Sequence, residues 1–260
     1  LRGGGSRLVW SNANAMSAPT PDEPMIETLI CRRWKVLVPE HRANRSGWSF
    51  WEQERLSYMH AVIRPGDVVW EIGAEQGDIS VLYALWGAYV VLVEPDPGFW
   101  PNVKRIFEAN GVAERVVGVY QGFVGPQDDG NVRVGHARAG TPSLWPDCAG
   151  GPMTKDRYPY SIANDDPGVH TTLDRMLDWF TKPDIVTVDI DGAEYQALLG
   201  ADRLLAEAKP ILFISVHPDH LWDQHKDTPD DVWVHLDLHG YAAARVGRDH
   251  ELHGIGKPRP

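Results

Sequence analysis

The chain has 260 residues, of which 43% are hydrophobic, and its formal net charge is −11. This length suits one domain with a sizeable core, or a domain plus a short N-terminal extension, and the hydrophobic content argues against wholesale disorder. No run of about 18 consecutive apolar residues occurs, so the sequence predicts no membrane span. The acidic balance argues against nucleic acid as a partner, because non-specific binding to phosphates depends on Lys and Arg.

The cysteines predict a compartment. Cys31 and Cys148 stand far apart in the sequence and form neither a disulfide framework nor a zinc-ribbon pattern. A reducing environment is the simpler assumption for such a chain, so we expect a cytoplasmic protein.

Three segments are predicted along the chain. Residues 1–15 (LRGGGSRLVWSNANA) resemble a vector-derived linker with a protease scar, and a flexible natural tail is the alternative. Residues 16–60 form an N-terminal extension with a helix, where Ser49 and Glu52 match a capping box. Residues 61–260 form the main domain.

Within the main domain, short apolar strands alternate with helices. The first half predicts strands at 68–72, 89–93 and 116–120 and helices at 78–86 and 99–110. The second half predicts helices at 172–180, 194–208 and 230–239, strands at 184–190 and 210–216, and a terminal hairpin at 241–247 and 250–256. This alternation indicates a Rossmann-like α/β fold, a mostly parallel sheet with helices on both faces.

An irregular segment, residues 121–170, interrupts the alternation. It is rich in Gly, Pro and Asp, with a short alternating piece at Val132 and Val134. A long irregular stretch inside a compact domain is usually functional or disordered, so we interpret it as a substrate-side insertion, a wall or lid over the site. Trp145 and Tyr158 either stack on a sugar or aromatic acceptor or pack the insertion itself.

A glycine-containing loop follows the first predicted strand. Gly73 and Gly77 flank it, and a helix begins directly afterwards. The loop lacks the central glycine of G-x-G-x-x-G, which disfavours an NAD-dependent dehydrogenase. Glu94 ends the second strand, where an acid can accept hydrogen bonds from both ribose hydroxyls of an adenosine. The spacing from Glu71 to Glu94 is typical of an adenosylmethionine site. The alternative is that the glycines are present only because the chain turns there, and that Glu94 is a surface acid.

Two strings carry a resemblance to a known family. EIGAEQGDIS…GAYVVLVEPDP and TTLDRML…DIVTVDIDGAEYQALLGA…KPILFISVHP are similar to the FkbM-type methyltransferases, over roughly residues 60–256. The resemblance implies a seven-stranded sheet with an antiparallel last strand, S-adenosylmethionine as cofactor and usually a hydroxyl oxygen as acceptor. Together these features predict cofactor contacts from Glu71, Gly73, Ala74, Gly77, Glu94, Pro95, Gly122 and Asp189.

The sequence departs from the family pattern at five positions. Glu75 and Gln76 stand where members usually carry Asn and a small apolar residue, and Thr187 replaces a common Lys. Asp191 replaces the usual Glu of D-x-E-G-x-E, and Ser215 replaces a usual Glu. These departures keep open an alternative of another class, a regulatory protein that binds a nucleotide or adenosylmethionine without turnover.

The fourth and fifth predicted strands deliver the candidate catalytic residues Asp189, Asp191 and His217. Asp189 and Asp191 are two apart and so share a face of an extended segment. Three roles stay open: the acids bind Mg²⁺, His217 or Asp189 acts as general base, or Asp189 positions the methionyl ammonium or the substrate. The plainer alternative is that Asp191 and Glu194 cap and charge the helix that follows.

A zinc cluster of His217, His220 and His225 is disfavoured by their irregular spacing on a predicted loop. The favoured function is methyl transfer from S-adenosylmethionine to a hydroxyl of a sugar or other small molecule. The expected partner is therefore a small-molecule or glycan substrate, and a homo-oligomer is compatible with the sequence.

Overall fold

The computed structural model describes residues 23–43, 47–50, 52–130, 134–136, 170–245 and 252–259. Its strands are β1 Met25–Ile30, β2 Trp34–Pro39, β3 Val68–Ile72, β4 Tyr89–Val93, β5 Val116–Tyr120, β6 Phe123–Val124, β7 Val134–His136, β8 His170–Thr171, β9 Ile185–Val188, β10 Ile211–Val216, β11 Tyr241–Arg245 and β12 Leu252–Pro258. Its α-helices are α1 Glu40–Ala43, α2 Gln53–Val62, α3 Ser80–Leu85, α4 Trp100–Ala109, α5 Leu173–Met176, α6 Glu194–Leu199, α7 Pro218–His225 and α8 Pro229–Leu238. A 3-10 turn spans Ala113–Arg115 and a π-helical turn spans Leu204–Ala208.

The described residues form an eight-stranded central sheet in the order β11-β12-β10-β9-β3-β4-β5-β7. The five strands from β10 to β5 pair in parallel, and β12 runs antiparallel to both β10 and β11. The Rossmann-like α/β fold and the antiparallel last strand are therefore confirmed. The eighth strand, β7, pairs antiparallel with β5 at the opposite edge and comes from the irregular segment.

Two hydrophobic clusters cover the two faces of the sheet, because side chains alternate along each buried strand. On β3, Val69 belongs to the cluster with α3, α4 and the β1–β2 hairpin, whereas Trp70 and Ile72 belong to the cluster with α5, α6 and α8. All five residues of β3 are buried. A strand buried on both faces explains why the sequence shows an unbroken apolar run instead of alternation.

The β1–β2 hairpin was not predicted within the N-terminal extension. Trp34, Val36 and Val38 are buried along β2 and join the same cluster as Val69, while Lys35 is exposed. The extension thus contributes directly to the core.

The predicted capping box at Ser49 and Glu52 is wrong. Helix α2 begins at Gln53, and Glu52 adopts a left-handed backbone conformation, φ 45°, without a side-chain capping bond. Its carboxylate is buried and pairs instead with Arg55 one turn later. The Glu52 carboxylate is therefore used in a buried ion pair and not in a helix cap.

One predicted helix is interrupted, and one predicted loop is helical. The predicted helix 194–208 is interrupted at Gly200, where a Cβ would lie 2.3 Å from the Gly125 carbonyl oxygen, and resumes as a π-helical turn. The residues 218–225, expected as loop, form helix α7 with Pro218 at its start.

Strands β6 and β8 pair in parallel and so join the two ends of the irregular segment. Most of that segment, with Trp145 and Tyr158, lies outside the described residues, as do residues 1–22. No helix in the described ranges is long and apolar enough to cross a membrane.

Candidate active site

The carboxyl ends of the parallel strands bring most of the predicted site residues to one edge of the sheet. Ile72 at the end of β3 is in register with Val93 of β4 and with Val188 of β9. The residues that follow, Gly73, Glu94 and Asp189, therefore leave the sheet at the same level. Ligands of open α/β sheets bind at this edge, so the observed placement agrees with the sequence-based prediction.

Glu94 is buried at this edge, and its carboxylate is held in place by the backbone. Its Oε2 accepts a hydrogen bond from the amide of Glu75 at 2.9 Å, and its Oε1 accepts one from the amide of Asp96 at 2.7 Å. Burial raises the pKa of Glu94 to about 8, with these two amide bonds acting in the opposite direction. Each carboxylate oxygen retains a further lone pair, which fits a carboxylate that receives two hydroxyl groups.

Close packing requires glycine at two positions of this loop, whether or not a ligand approaches it. Gly73 has φ +95°, and a Cβ there would lie 1.9 Å from the Asp189 carbonyl oxygen. Gly77 has φ +85°, and its Cβ would press on Val103 of α4. The amides of Gly73 and Ala74 both donate to the Val93 carbonyl, so the loop is pinned to the end of β4.

The two unusual loop residues bind the N-terminal segment. Arg42 of α1 is buried and makes a bidentate ion pair with Glu75, with both N···O distances at 3.1 Å, and also pairs with Asp78. His41 Nε2 lies 3.0 Å from the Gln76 side-chain oxygen. The departures at Glu75 and Gln76 therefore coincide with a contact between this loop and α1, which gives them a structural role.

Glu71, predicted to bind cofactor, directs its carboxylate into the interior. Thr187 donates to Glu71 Oε2 at 3.0 Å, and the buried Arg55 of α2 lies nearby. Burial raises the pKa of Glu71 to about 7, against the opposing effects of Arg55 and Thr187. Its contacts in this structure are therefore with buried interior groups, and direct contact with cofactor stays a prediction.

Arg55 supplies a cation that sequence reasoning missed. Its guanidinium pairs with Glu52, lies 3.8 Å from Asp189 Oδ2 and 3.5 Å from Thr187 Oγ1. The Thr187 position is where family members commonly carry Lys, so the positive charge here comes from α2 instead of from β9. A single sequence cannot reveal this exchange, because Arg55 is distant along the chain and lies on a helix of mixed composition.

His217 follows β10 and is oriented by a buried carboxylate. Its Nδ1 lies 2.7 Å from Glu194 Oε1, and Glu194 is fully buried. Its Nε2 lies 3.7 Å from Asp189 Oδ1 and 3.6 Å from Asp191 Oδ1. The structure thus brings the three predicted catalytic residues together, with Glu194 as the residue that holds the imidazole.

The sequence offers a helix-capping role for Glu194 as one alternative. It does accept a hydrogen bond from the Gly192 amide at 2.9 Å, as a capping residue would, and the same oxygen contacts His217. The available signal was a Glu placed shortly after one strand and a His placed just after the next strand. Only the sheet order reveals that these two strands are neighbours.

Asp191 and Gly192 form a tight turn between β9 and α6. Asp191 has φ 51° and Gly192 φ +106°, and a Cβ on Gly192 would lie 2.6 Å from the Cβ of His220. The His220 ring stacks on His217 with centroids 5.6 Å apart. A non-glycine residue in this backbone region is strained, and such strain is often found at functional sites.

The remaining predicted cofactor residues stand at the same edge. Pro95 follows Glu94 directly and is partly buried, and Gly122 lies just beyond the end of β5 and is buried. The candidate zinc set of His217, His220 and His225 does not converge on one point among the described residues.

Comparison with known proteins identifies a family for this chain. A family model described as "Methyltransferase FkbM domain" matches residues 67–243. No curated protein matches the sequence. Among solved structures, a methyltransferase FkbM from Methylobacillus flagellatus KT is 19% identical, with a TM-score of 0.47, over 77% of this chain and 50% of that one. A precorrin-6y C5,15-methyltransferase from Geobacter metallireducens GS-15 is 13% identical, with a TM-score of 0.45, over 78% and 88% of the two chains.

A magnesium protoporphyrin IX methyltransferase from Synechocystis PCC 6803, solved with bound SAM, is 15% identical, with a TM-score of 0.45, over 80% of both chains. The family assignment does not rest on these structural matches, whose TM-scores are all below 0.5, but on the family model alone. That model spans more than half of the chain, from β3 through α8 to the start of β11. The chain therefore belongs to the family of S-adenosylmethionine-dependent methyltransferases with an FkbM domain.

Proposed function

We propose that this protein transfers a methyl group from S-adenosylmethionine to a hydroxyl oxygen of a small molecule, a sugar or glycan among the candidates, with His217 as general base. The observation that carries the proposal is the Glu194–His217 pair at the site edge, with the Nδ1 to Oε1 distance at 2.7 Å. A hydroxyl is a weak nucleophile and must lose its proton during transfer. A base held by a buried carboxylate suits this acceptor class.

Glu194 sets the tautomer of His217. When Nδ1–H donates to Glu194, the lone pair stays on Nε2, which faces Asp189 and Asp191 at the open side of the site. The tautomer is assigned from this hydrogen bond. Nε2 can then take the acceptor proton, and Glu194 stabilises the imidazolium that results.

S-adenosylmethionine supplies an electrophilic methyl group on a sulfonium. Glu94 is proposed to bind the two ribose hydroxyls, and the loop from Gly73 to Gly77 to border the cofactor. Asp189, 29% exposed, and Asp191, 54% exposed, are proposed to orient the methionyl ammonium or the acceptor hydroxyl. Alignment of acceptor and methyl group contributes much of the catalysis of such a displacement.

Mg²⁺ remains the alternative role for Asp189 and Asp191. Both carboxylates lie within 4 Å of an imidazole nitrogen, whereas Mg²⁺ prefers a shell of oxygen ligands and water. This donor set favours a metal-independent base, and the assay below includes a chelator to distinguish the two.

The test combines binding and turnover. Calorimetry should show that adenosylhomocysteine binds the protein, and incubation with labelled S-adenosylmethionine and a panel of glycans and polyols should label a hydroxyl. Turnover should persist in EDTA. No binding at millimolar adenosylhomocysteine would reject the cofactor assignment, binding without turnover on any acceptor would favour the regulatory alternative, and turnover that requires Mg²⁺ would reassign the two acids to a metal.

Glu94 should make nucleoside affinity dependent on pH. Its carboxyl is mostly neutral below pH 8, and only the ionised form accepts two hydroxyl bonds, so affinity should rise with pH between 6 and 8, at most about tenfold per pH unit. Methylthioadenosine is a suitable ligand because it has no amino-acid group that titrates in this range. Titration calorimetry at several pH values measures the slope.

Glu94→Gln is the matched variant for this measurement. It should bind methylthioadenosine more weakly, since each hydrogen bond to a charged group contributes about 1.5–3 kcal/mol, and its affinity should not vary with pH. A wild-type affinity that is independent of pH would argue against Glu94 as the ribose ligand.

A further inference from the structure

A second cluster of ligating side chains lies away from the active site, on the face where α6 and α8 pack. Its members are Asp202, His235 and His239. One potential metal-ligating atom from each residue lies within 4.8 Å of the other two. His235 lies in the last turn of α8 and His239, four residues later, is its C-cap residue, so both rings lie on the same side of the helix end. Asp202 comes from the segment between α6 and the π-helical turn.

Each of the two imidazoles uses one nitrogen for a hydrogen bond to the backbone. The Nδ1 of His239 lies 2.9 Å from the His235 carbonyl oxygen, to which it donates, and its Nε2 lies 3.0 Å from Asp202 Oδ1. His235 bonds to the backbone of Leu198, and its buried Nε2 has no hydrogen-bond partner. The bond to Leu198 is therefore made by Nδ1, and Nε2 carries an unused lone pair.

This pattern matches the way proteins prepare histidines for metal. A ligating imidazole usually donates its other N–H to a carbonyl or carboxylate, which fixes the ring and leaves the ligating nitrogen unprotonated. Both histidines satisfy this condition, and His235 is only 9% exposed.

The geometry points to a zinc site formed by Asp202, His235 and His239, which would fasten the end of α8 to the segment that follows α6. Two imidazole nitrogens and one carboxylate oxygen suit Zn²⁺, with water at a fourth position, and they suit Mg²⁺ poorly. The site is separate from the proposed methyl-transfer chemistry, because Asp189, Asp191 and His217 contribute nothing to it.

The test uses the full chain after removal of metal. Zinc titrated against a chromogenic chelator should bind at one equivalent per chain, and it should raise the thermal midpoint because it binds only the folded protein. Asp202→Asn and His239→Gln should each weaken zinc at least about tenfold and abolish the thermal shift. Mg²⁺ should neither compete nor stabilise.

His220→Gln is the control, because this histidine stacks on His217 at the other site. It should keep the affinity and the thermal shift of the wild type. Co²⁺ gives a second readout, since its visible absorption reports the ligands directly and should change in His239→Gln. The proposal is overturned by the absence of saturable zinc binding, or by binding that survives both Asp202→Asn and His239→Gln.

Discussion

His217→Gln is expected to lower kcat by about 10²–10⁴-fold while the affinity for adenosylhomocysteine stays within about twofold of wild type. The imidazole is placed to accept a proton and lies at the acceptor side of the site, so its loss should affect transfer and not cofactor binding. Labelled-methyl turnover, with the acceptor found in the panel above, measures kcat, and calorimetry measures affinity.

Glu194→Gln tests whether Glu194 only orients the His217 ring or also stabilises the imidazolium formed by proton transfer. It keeps the shape of the side chain but removes the charge that stabilises the imidazolium, so kcat should fall less than in His217→Gln. The pH at which activity rises to half its maximum should move to a lower value, because the imidazole becomes less basic without the carboxylate. A purely structural Glu194 would leave the pH profile in place. Unchanged kcat in His217→Gln would remove this histidine from the mechanism.

Arg55→Met is expected to destabilise the protein by about 3–5 kcal/mol at pH 7.5. The guanidinium is 3% exposed and pairs with Glu52, and it lies near Glu71 and Asp189. Its removal leaves buried carboxylates without a counter-charge, which costs more than the pair itself contributes. Urea unfolding followed by circular dichroism measures the loss, and Arg55→Lys, which keeps the charge, gives a milder variant should Arg55→Met fold poorly.

The destabilisation by Arg55→Met should diminish as the pH falls, since protonation neutralises the carboxylates left behind. Burial already raises the pKa of Glu71 to about 7, so at pH 5.5 this residue is neutral before and after the substitution. Adding Glu52→Gln and Glu71→Gln to Arg55→Met should restore part of the stability.

Arg175→Met is the matched control for Arg55→Met. This arginine pairs with Asp178 and Asp128, but it is 46% exposed, and exposed pairs contribute only about 0–1 kcal/mol. An Arg55→Met variant as stable as Arg175→Met would show that the buried network contributes little.

Local sequence patterns were sufficient to predict most elements of the fold. The strands β3, β4, β5 and β10 were predicted nearly to their bounds because they are apolar runs followed within two residues by Gly or Pro, which are local signals. The β1–β2 hairpin was missed because its strands mix exposed and buried positions, and only packing on the core makes Trp34, Val36 and Val38 one face. Helix α2 was predicted, but its start was not, because the partner of Glu52 is Arg55 and not a backbone amide.

The sequence by itself determined the fold class. It also determined that the loop from Gly73 to Gly77 follows one strand and that Glu94 ends the next, because these features depend on residue order over short spans. The tertiary structure decided which side chains act on one another. It placed Arg55 beside Thr187, Arg42 against Glu75, and Glu194 against His217. These pairs lie between 23 and 132 residues apart along the chain. Such contacts follow from the order of strands in the sheet and from burial, and neither is encoded in a local pattern.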